Sequence, residues 1–157
     1  VADVARHGAR LLDAGADLLV DRHDTARAVE IIRGVTREKL RYAIDIVGRD
    51  TAALLQQTLD APVHDDGSHA HLLGLTGLPK ERDSRIIYHT VPIKAFHSSP
   101  AVGEAMVTWL EELLQTETIR LPEIILADGG LEGINASLED LRQGKASGKR
   151  IVMNLGR

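Results

Sequence analysis

Four short stretches carry side chains placed to meet a ligand. Asp3 follows a strand fragment at the start of the chain, and the pair Val47-Gly48, the triplet Leu75-Thr76-Gly77 and the pair Phe96-His97 each follow an expected strand. In a parallel sheet flanked by helices, ligands gather beyond the carboxyl ends of the strands, where the strand order reverses. An acidic residue at the end of the second strand of a dinucleotide-binding sheet accepts the ribose hydroxyls, and its charge repels a 2′-phosphate. Asp3 suits that role and suits equally the plain one of capping a helix that begins near Ala5. Arg6 and His7 beside it could instead hold a phosphate. Gly48, Gly74 and Gly77 each read singly as turn residues. Together they leave strand ends without side chains, and so a crevice for a flat ligand.

Three other constellations are weaker. His64-Asp65-Asp66-Gly67-Ser68-His69-Ala70-His71 offers imidazoles and carboxylates that suit zinc or nickel, but a polar loop seldom fixes them, and a solvated loop is the expectation. His97 lies beside the crevice as a proton donor or as a plain surface histidine. The run Gly144-Lys145-Ala146-Ser147-Gly148-Lys149 resembles a phosphate loop only superficially. It has three residues between its glycines, Arg150 stands where a hydroxyl residue belongs, and a helix precedes rather than follows it. Lys149 remains a point charge that could reach a cofactor phosphate.

The elements that must hold these residues follow from hydrophobic periodicity. Val1 to Ala5 reads as the tail of a strand and Arg6 to Ala14 as a helix closed by Gly15 in a left-handed cap. Leu18 to Val20 is a strand; Asp24 or Thr25 caps a helix that Gly34 ends. Tyr42 to Val47 is a strand apolar on both faces except at Asp45, followed by a helix capped at Asp50 or Thr51 and carrying Leu54, Leu55 and Leu59. Leu72 to Leu75 and Ile86 to Phe96 are further strands, the latter broken by Pro92, which cannot donate to a ladder and belongs at an edge. Ser99 caps an amphipathic helix with Pro100 at its first position and Val102, Met106, Trp109, Leu110, Leu113 and Leu114 along one face. Leu121 to Ala127 is a strand, Leu131 to Leu141 a helical stripe, and Arg150 to Leu155 the closing strand. Strands alternating with helices make a parallel sheet by right-handed crossovers, so the expected class is α/β, a doubly wound parallel sheet.

Composition removes several function classes. The 157 residues carry 19 Lys+Arg against 23 Asp+Glu, and only Tyr42, Tyr88, Phe96 and Trp109 are aromatic. An acidic chain with so few stacking rings is a poor nucleic-acid binder. With 43% hydrophobic and 27% charged residues the balance is globular. No run approaches the ~20 apolar residues of a bilayer span, and no signal pattern opens the chain; a cytoplasmic protein without a membrane partner is expected. Zero cysteines exclude disulfides, thiolate catalysis and cysteine-ligated zinc.

Three segments in order, Leu11-Leu12-Asp13-Ala14-Gly15-Ala16-Asp17-Leu18-Leu19-Val20-Asp21, Tyr42-Ala43-Ile44-Asp45-Ile46-Val47-Gly48 and Gly144-Lys145-Ala146-Ser147-Gly148-Lys149-Arg150-Ile151-Val152, resemble the medium-chain dehydrogenase/reductase superfamily. The subgroup they resemble most is the fungal zinc-binding-type alcohol dehydrogenase and trans-enoyl reductase group, close to the quinone oxidoreductases. The resemblance implies the carboxyl-terminal half of such an enzyme: residues 1–118 as a partial NAD(P)-binding Rossmann domain, and residues 119–157 as the last part of the GroES-like catalytic domain. It implies hydride transfer between NAD or NADP and an enone, quinone or alcohol, with NADPH for an enoyl reductase. By position, Asp3 would face the adenosine ribose, Val47 and Gly48 the central part of the cofactor, and Leu75, Thr76 and Phe96 the nicotinamide.

The family's glycine-rich fingerprint and its amino-terminal catalytic domain, where zinc ligands reside, have no counterpart after Val1, so zinc is not supported by this chain. In a sheet ordered third, second, first, fourth, fifth, sixth, the absent first strand is the central one. Its loss is expected to leave two half-sheets with unpaired edges and a fragment of impaired activity. The partners implied are the nicotinamide cofactor, a small-molecule substrate and a second copy joined through a sheet edge, a pairing that Pro92 weakens. Two other readings stay open. One is a non-catalytic interaction module from a truncated gene, the other an S-adenosylmethionine methyltransferase.

Overall fold

The computed structural model describes residues 1–59, 68–91 and 94–155. Two compact units divide the chain, Val1–Ser99 and Pro100–Arg157. The His64 to Gly67 part of the histidine-rich segment lies outside the described residues, as does Pro92 with its expected effect on edge pairing.

In the first unit, Asp3 turns the chain from a single extended residue into a helix. Ala2 donates to the Val20 carbonyl at 2.9 Å and accepts from the Arg22 N–H at 2.9 Å, an isolated parallel bridge between Ala2 and Asp21. The expected strands at 1–5 and 18–20 are reduced to that bridge, because Asp3 caps the helix α1 (Val4–Asp13) one residue later. Gly15 takes the left-handed conformation expected of it, at φ 96°. Asp24 caps α2 (Thr25–Thr36), accepting from the Arg27 N–H at 3.1 Å. Gly34 does not end that helix. Arg37, at φ 53°, does so three residues later, its N–H directed to the Gly34 and Arg33 carbonyls.

Three parallel strands follow, β1 (Tyr42–Asp45), β2 (Ala70–Gly74) and β3 (Ile86–Thr90), in the order β1-β2-β3. Ile44 pairs with Leu73, and Leu72 with Tyr88. One face of this sheet carries the core. Ala70, Leu72 and Ile86 pack with Ala52 and Leu59 from the segment of α3 (Arg49–Gln56) and its end, and Leu40, Ala43, Leu55 and Tyr88 close around them. Tyr88 can lie there because its hydroxyl is satisfied: it donates to Gln56 Oε1 at 2.6 Å and accepts from the Asp83 N–H at 2.9 Å. Burial pushes the Tyr88 phenol above its ordinary value. A short helix α4 (Ala95–Ser98) follows the third strand, which ends at Thr90 rather than running to Phe96.

This pairing has the form of a doubly wound sheet read around its centre. The Ala2–Asp21 bridge answers to the second and third strands, and β1-β2-β3 to the fourth, fifth and sixth. Among the described residues no ladder joins the two groups.

The second unit holds α5 (Pro100–Gln115), β4 (Glu123–Ala127), α6 (Ile134–Arg142) and β5 (Lys149–Met153). The strands β4 and β5 are parallel, with Ile125 opposite Ile151, and α6 forms the crossover. The turn before α6 needs its glycines. Gly129 and Gly130 have φ of 102° and 57°, and a side chain on Gly133 would meet the Asp128 carbonyl oxygen. The amphipathic face of α5 is present as expected, with Met106, Trp109 and Leu110 exposed.

Candidate functional site

The carboxyl ends of β1 and β2 are locked side by side. The Leu75 N–H donates to the Asp45 carbonyl at 2.9 Å, one step beyond the last ladder pair, Asp45 with Gly74. That places Val47-Gly48 and Leu75-Thr76-Gly77 in neighbouring turns. Asp45, only 4% exposed, builds the first of them: its Oδ1 accepts from the N–H of Val47 at 2.9 Å and of Gly48 at 2.8 Å. Thr51 completes the turn from α3, its Oγ1 accepting from the Gly48 N–H at 3.1 Å and donating to the Gly48 carbonyl at 2.9 Å. The cap of α3 is thus Gly48 and not Asp50, with Thr51 bonding back to it.

The three glycines divide by function. A Cβ on Gly48 meets nothing within 4 Å, so open space lies beside it, as a ligand passing close to backbone requires. A Cβ on Gly74 would run into the Gly77 carbonyl oxygen, and within 2.9 Å of Leu78 Cδ2. Gly74 therefore serves the close approach of its own turn. A Cβ on Gly77 would come within 2.8 Å of Arg49 Cγ, the movable stem of an exposed side chain.

Asp3 is the cap that the sequence allowed, with Oδ1 accepting from the Arg6 N–H at 3.2 Å. Its other oxygen faces Arg22 Nη2 and His23 Nε2, each at 3.7 Å. Desolvation raises the Asp3 carboxyl, but the Arg6 N–H bond, then the bond and charge of His23 and the charge of Arg22, outweigh it and hold it below its ordinary value. Arg22 and His23 were not singled out by the sequence, because they lie across the Ala2–Asp21 bridge and not along the helix.

Phe96 lies in α4 with its ring edge-on to His97, centroids 5.3 Å apart. Lys149 opens β5 in the second unit, where its Nζ donates to Glu123 Oε1 at 2.6 Å, across the first ladder pair. Among the described residues no group of three or more metal-ligating side chains is gathered.

The arrangement is an α/β parallel sheet seen from its carboxyl rim. No family model matches the chain. A trans-enoyl reductase of Aspergillus flavipes, tndF, is 28% identical over 148 residues, which is 90% of this chain and 42% of that protein. The trans-enoyl reductase pvhC of Talaromyces variabilis is 44% identical over 54 residues, 34% of this chain and 15% of its own length. In the solved structure of a protein described as an NADPH:quinone reductase from Bacillus thuringiensis, 93% of this chain superposes on 45% of that one with a TM-score of 0.72 at 16% identity. The apo JamJ enoyl reductase superposes with a TM-score of 0.66 at 13% identity, over 93% of this chain and 44% of its own. The chain thus spans less than half of each of these proteins. Sequence and fold point the same way: the chain is similar in sequence to trans-enoyl reductases and shares its fold with the two reductase structures.

Proposed function

We propose that this chain supplies the later part of the nucleotide-binding sheet of an NADPH-dependent reductase acting on an enoyl, enone or quinone substrate, with residues 1–118 in the cofactor domain and 119–157 in the catalytic domain. The observation that carries this reading is the paired rim, where Asp45 and Leu75 tie the Val47-Gly48 and Leu75-Thr76 turns together beside the open space at Gly48. The enoyl substrate is favoured by the names of the relatives that match in sequence.

The residues fit a nicotinamide nucleotide. When bound, that cofactor supplies the hydride. The chain's own contribution is position. Val47 and Gly48 offer backbone without bulk to the cofactor's middle, and Leu75, Thr76 and Phe96 border the nicotinamide. Lys149 is a further charge for a phosphate, released from Glu123 when it serves. Asp3 would meet the adenosine ribose with Arg22 and His23 beside it; NADPH over NADH is favoured by the name of the Bacillus thuringiensis structural neighbour, an NADPH:quinone reductase.

Separate calorimetric and fluorescence titrations of NADPH and NADH into the folded chain test the reading. Binding of NADPH in preference to NADH is expected. A folded chain that binds neither points to the non-catalytic interaction module.

A further inference from the structure

The backbone of the proposed rim has already spent donors that an anion would need. The N–H groups of Val47 and Gly48 are both directed to Asp45 Oδ1, and that of Leu75 to the Asp45 carbonyl. Val47, Gly48, Leu75 and Thr76 carry no charge of their own. A nicotinamide dinucleotide has an anionic pyrophosphate at its middle, which is held by free N–H groups or by cationic side chains. Arg49 is placed to supply the second. It opens α3 directly after Gly48, and its exposed side chain lies over the neighbouring turn. A Cβ on Gly77 would stand 2.8 Å from Arg49 Cγ, 3.7 Å from Cδ and 3.5 Å from Nε. The side chain from Cγ to Nε thus fills the space that the missing side chain of Gly77 leaves, and its guanidinium is carried to the second turn of the rim.

We propose, resting on the reductase reading, that Arg49 binds the cofactor's pyrophosphate, as a movable cation that reaches from the Val47-Gly48 turn across Gly77. A guanidinium suits the task because its planar fork donates two parallel bonds to phosphate oxygens, which a lysine ammonium cannot do. Gly77 has a part in this beyond its own turn, since its bare Cα is the surface on which the arginine stem rests. The 2′-phosphate that distinguishes NADPH belongs with the adenosine ribose, at the Asp3 end of the proposed site. Arg49 therefore serves NADPH and NADH alike.

Calorimetric titration of NADPH and of NADH into the full chain and its variants tests this, with circular dichroism to confirm that each variant is folded. Arg49→Ala should weaken both nucleotides by about tenfold and make the remaining affinity less sensitive to salt. Arg49→Lys, which keeps the charge without the fork, should recover part of the loss. Lys39→Ala removes an exposed cation before the amino end of β1, away from the rim, and should change neither affinity. Gly77→Ala should weaken both nucleotides by displacing the Arg49 stem, and should add nothing when combined with Arg49→Ala. A folded wild-type chain that binds neither nucleotide overturns the reductase reading and this assignment with it. Wild-type binding that Arg49→Ala leaves unchanged overturns the assignment alone. So does a loss confined to NADPH, which would put the guanidinium at the 2′-phosphate.

Discussion

The carboxylate of Asp45 holds the backbone N–H of Gly48 at 2.8 Å across the turn from β1 into α3, and the same oxygen holds the N–H of Val47. A buried carboxylate at the end of a strand is costly unless its lone pairs are met. Here Oδ1 is met twice by the backbone of the turn that borders the proposed cofactor groove. Asp45→Ala should therefore lower stability by about 2–4 kcal/mol, the loss of two bonds to a charged acceptor. Asp45→Asn, which keeps an acceptor oxygen, should lose less than half as much. Urea denaturation of the two variants measures the difference, and equal losses would mean that the charge matters more than the acceptor.

Gly74 and Gly77 stand in one turn but should respond differently to a methyl group. At Gly74 the obstacle is the Gly77 carbonyl, which is backbone and cannot step aside. At Gly77 it is the stem of Arg49, which can rotate away. Gly74→Ala is expected to cost roughly 1–3 kcal/mol through overpacking, and Gly77→Ala well under about 1 kcal/mol. Thermal denaturation of both gives the ranking, and the reverse order would show that the turn relaxes at Gly74.

Asp83 gives the chain an acid-sensitive ion pair. The side-chain bonds from Arg85 and then the bond from its N–H lower the Asp83 carboxyl from 3.8 to about 2. The guanidinium is bidentate, with Nε at 2.9 Å and Nη2 at 2.7 Å. Because the folded value lies below the unfolded one, the pair's contribution is complete above the unfolded value and is lost as pH falls through the folded one. The loss should fall between 3.8 and about 2. Asp83→Asn should flatten the stability profile in that window and leave its slope near neutral pH unchanged. A profile of the same steepness in the variant would assign the acid sensitivity to other carboxylates.

The order of strands and helices was legible because periodicity and caps are local: Gly15, Asp24 and Pro100 mark helix boundaries where they were expected. What was not legible depends on partners distant in sequence. Leu18 to Val20 has the composition of a strand, yet only the bridge at Ala2 and Asp21 forms, because a strand needs a neighbour along its length. Asp45 stood out only as an exception in an apolar run; its role needed the turn to be seen. His71 and His89 lie eighteen positions apart, and their contact depends on the register of β2 against β3. Gly34 misled for a local reason, since the helix continued through it to an αL residue, Arg37, that ordinarily is glycine or asparagine.

Asp3 separates a cap from a cofactor contact, and two substitutions distinguish them. Asp3→Asn leaves an oxygen to accept from the Arg6 N–H, so the cap of α1 survives while the charge is removed. Asp3→Ala removes both, and should cost about 1 kcal/mol in stability as caps do. If the carboxylate also faces the adenosine ribose, its repulsion of a 2′-phosphate at about 4 Å in water-like surroundings is of order 1 kcal/mol, or about fivefold in affinity. Asp3→Asn should then shift the ratio of NADPH to NADH affinity about fivefold toward NADPH, and Asp3→Ala should shift it as far. Titration of both nucleotides into the two variants reads this directly. An unchanged ratio in Asp3→Asn, with the stability loss confined to Asp3→Ala, would leave Asp3 as a helix cap alone and take the ribose contact out of the proposed site.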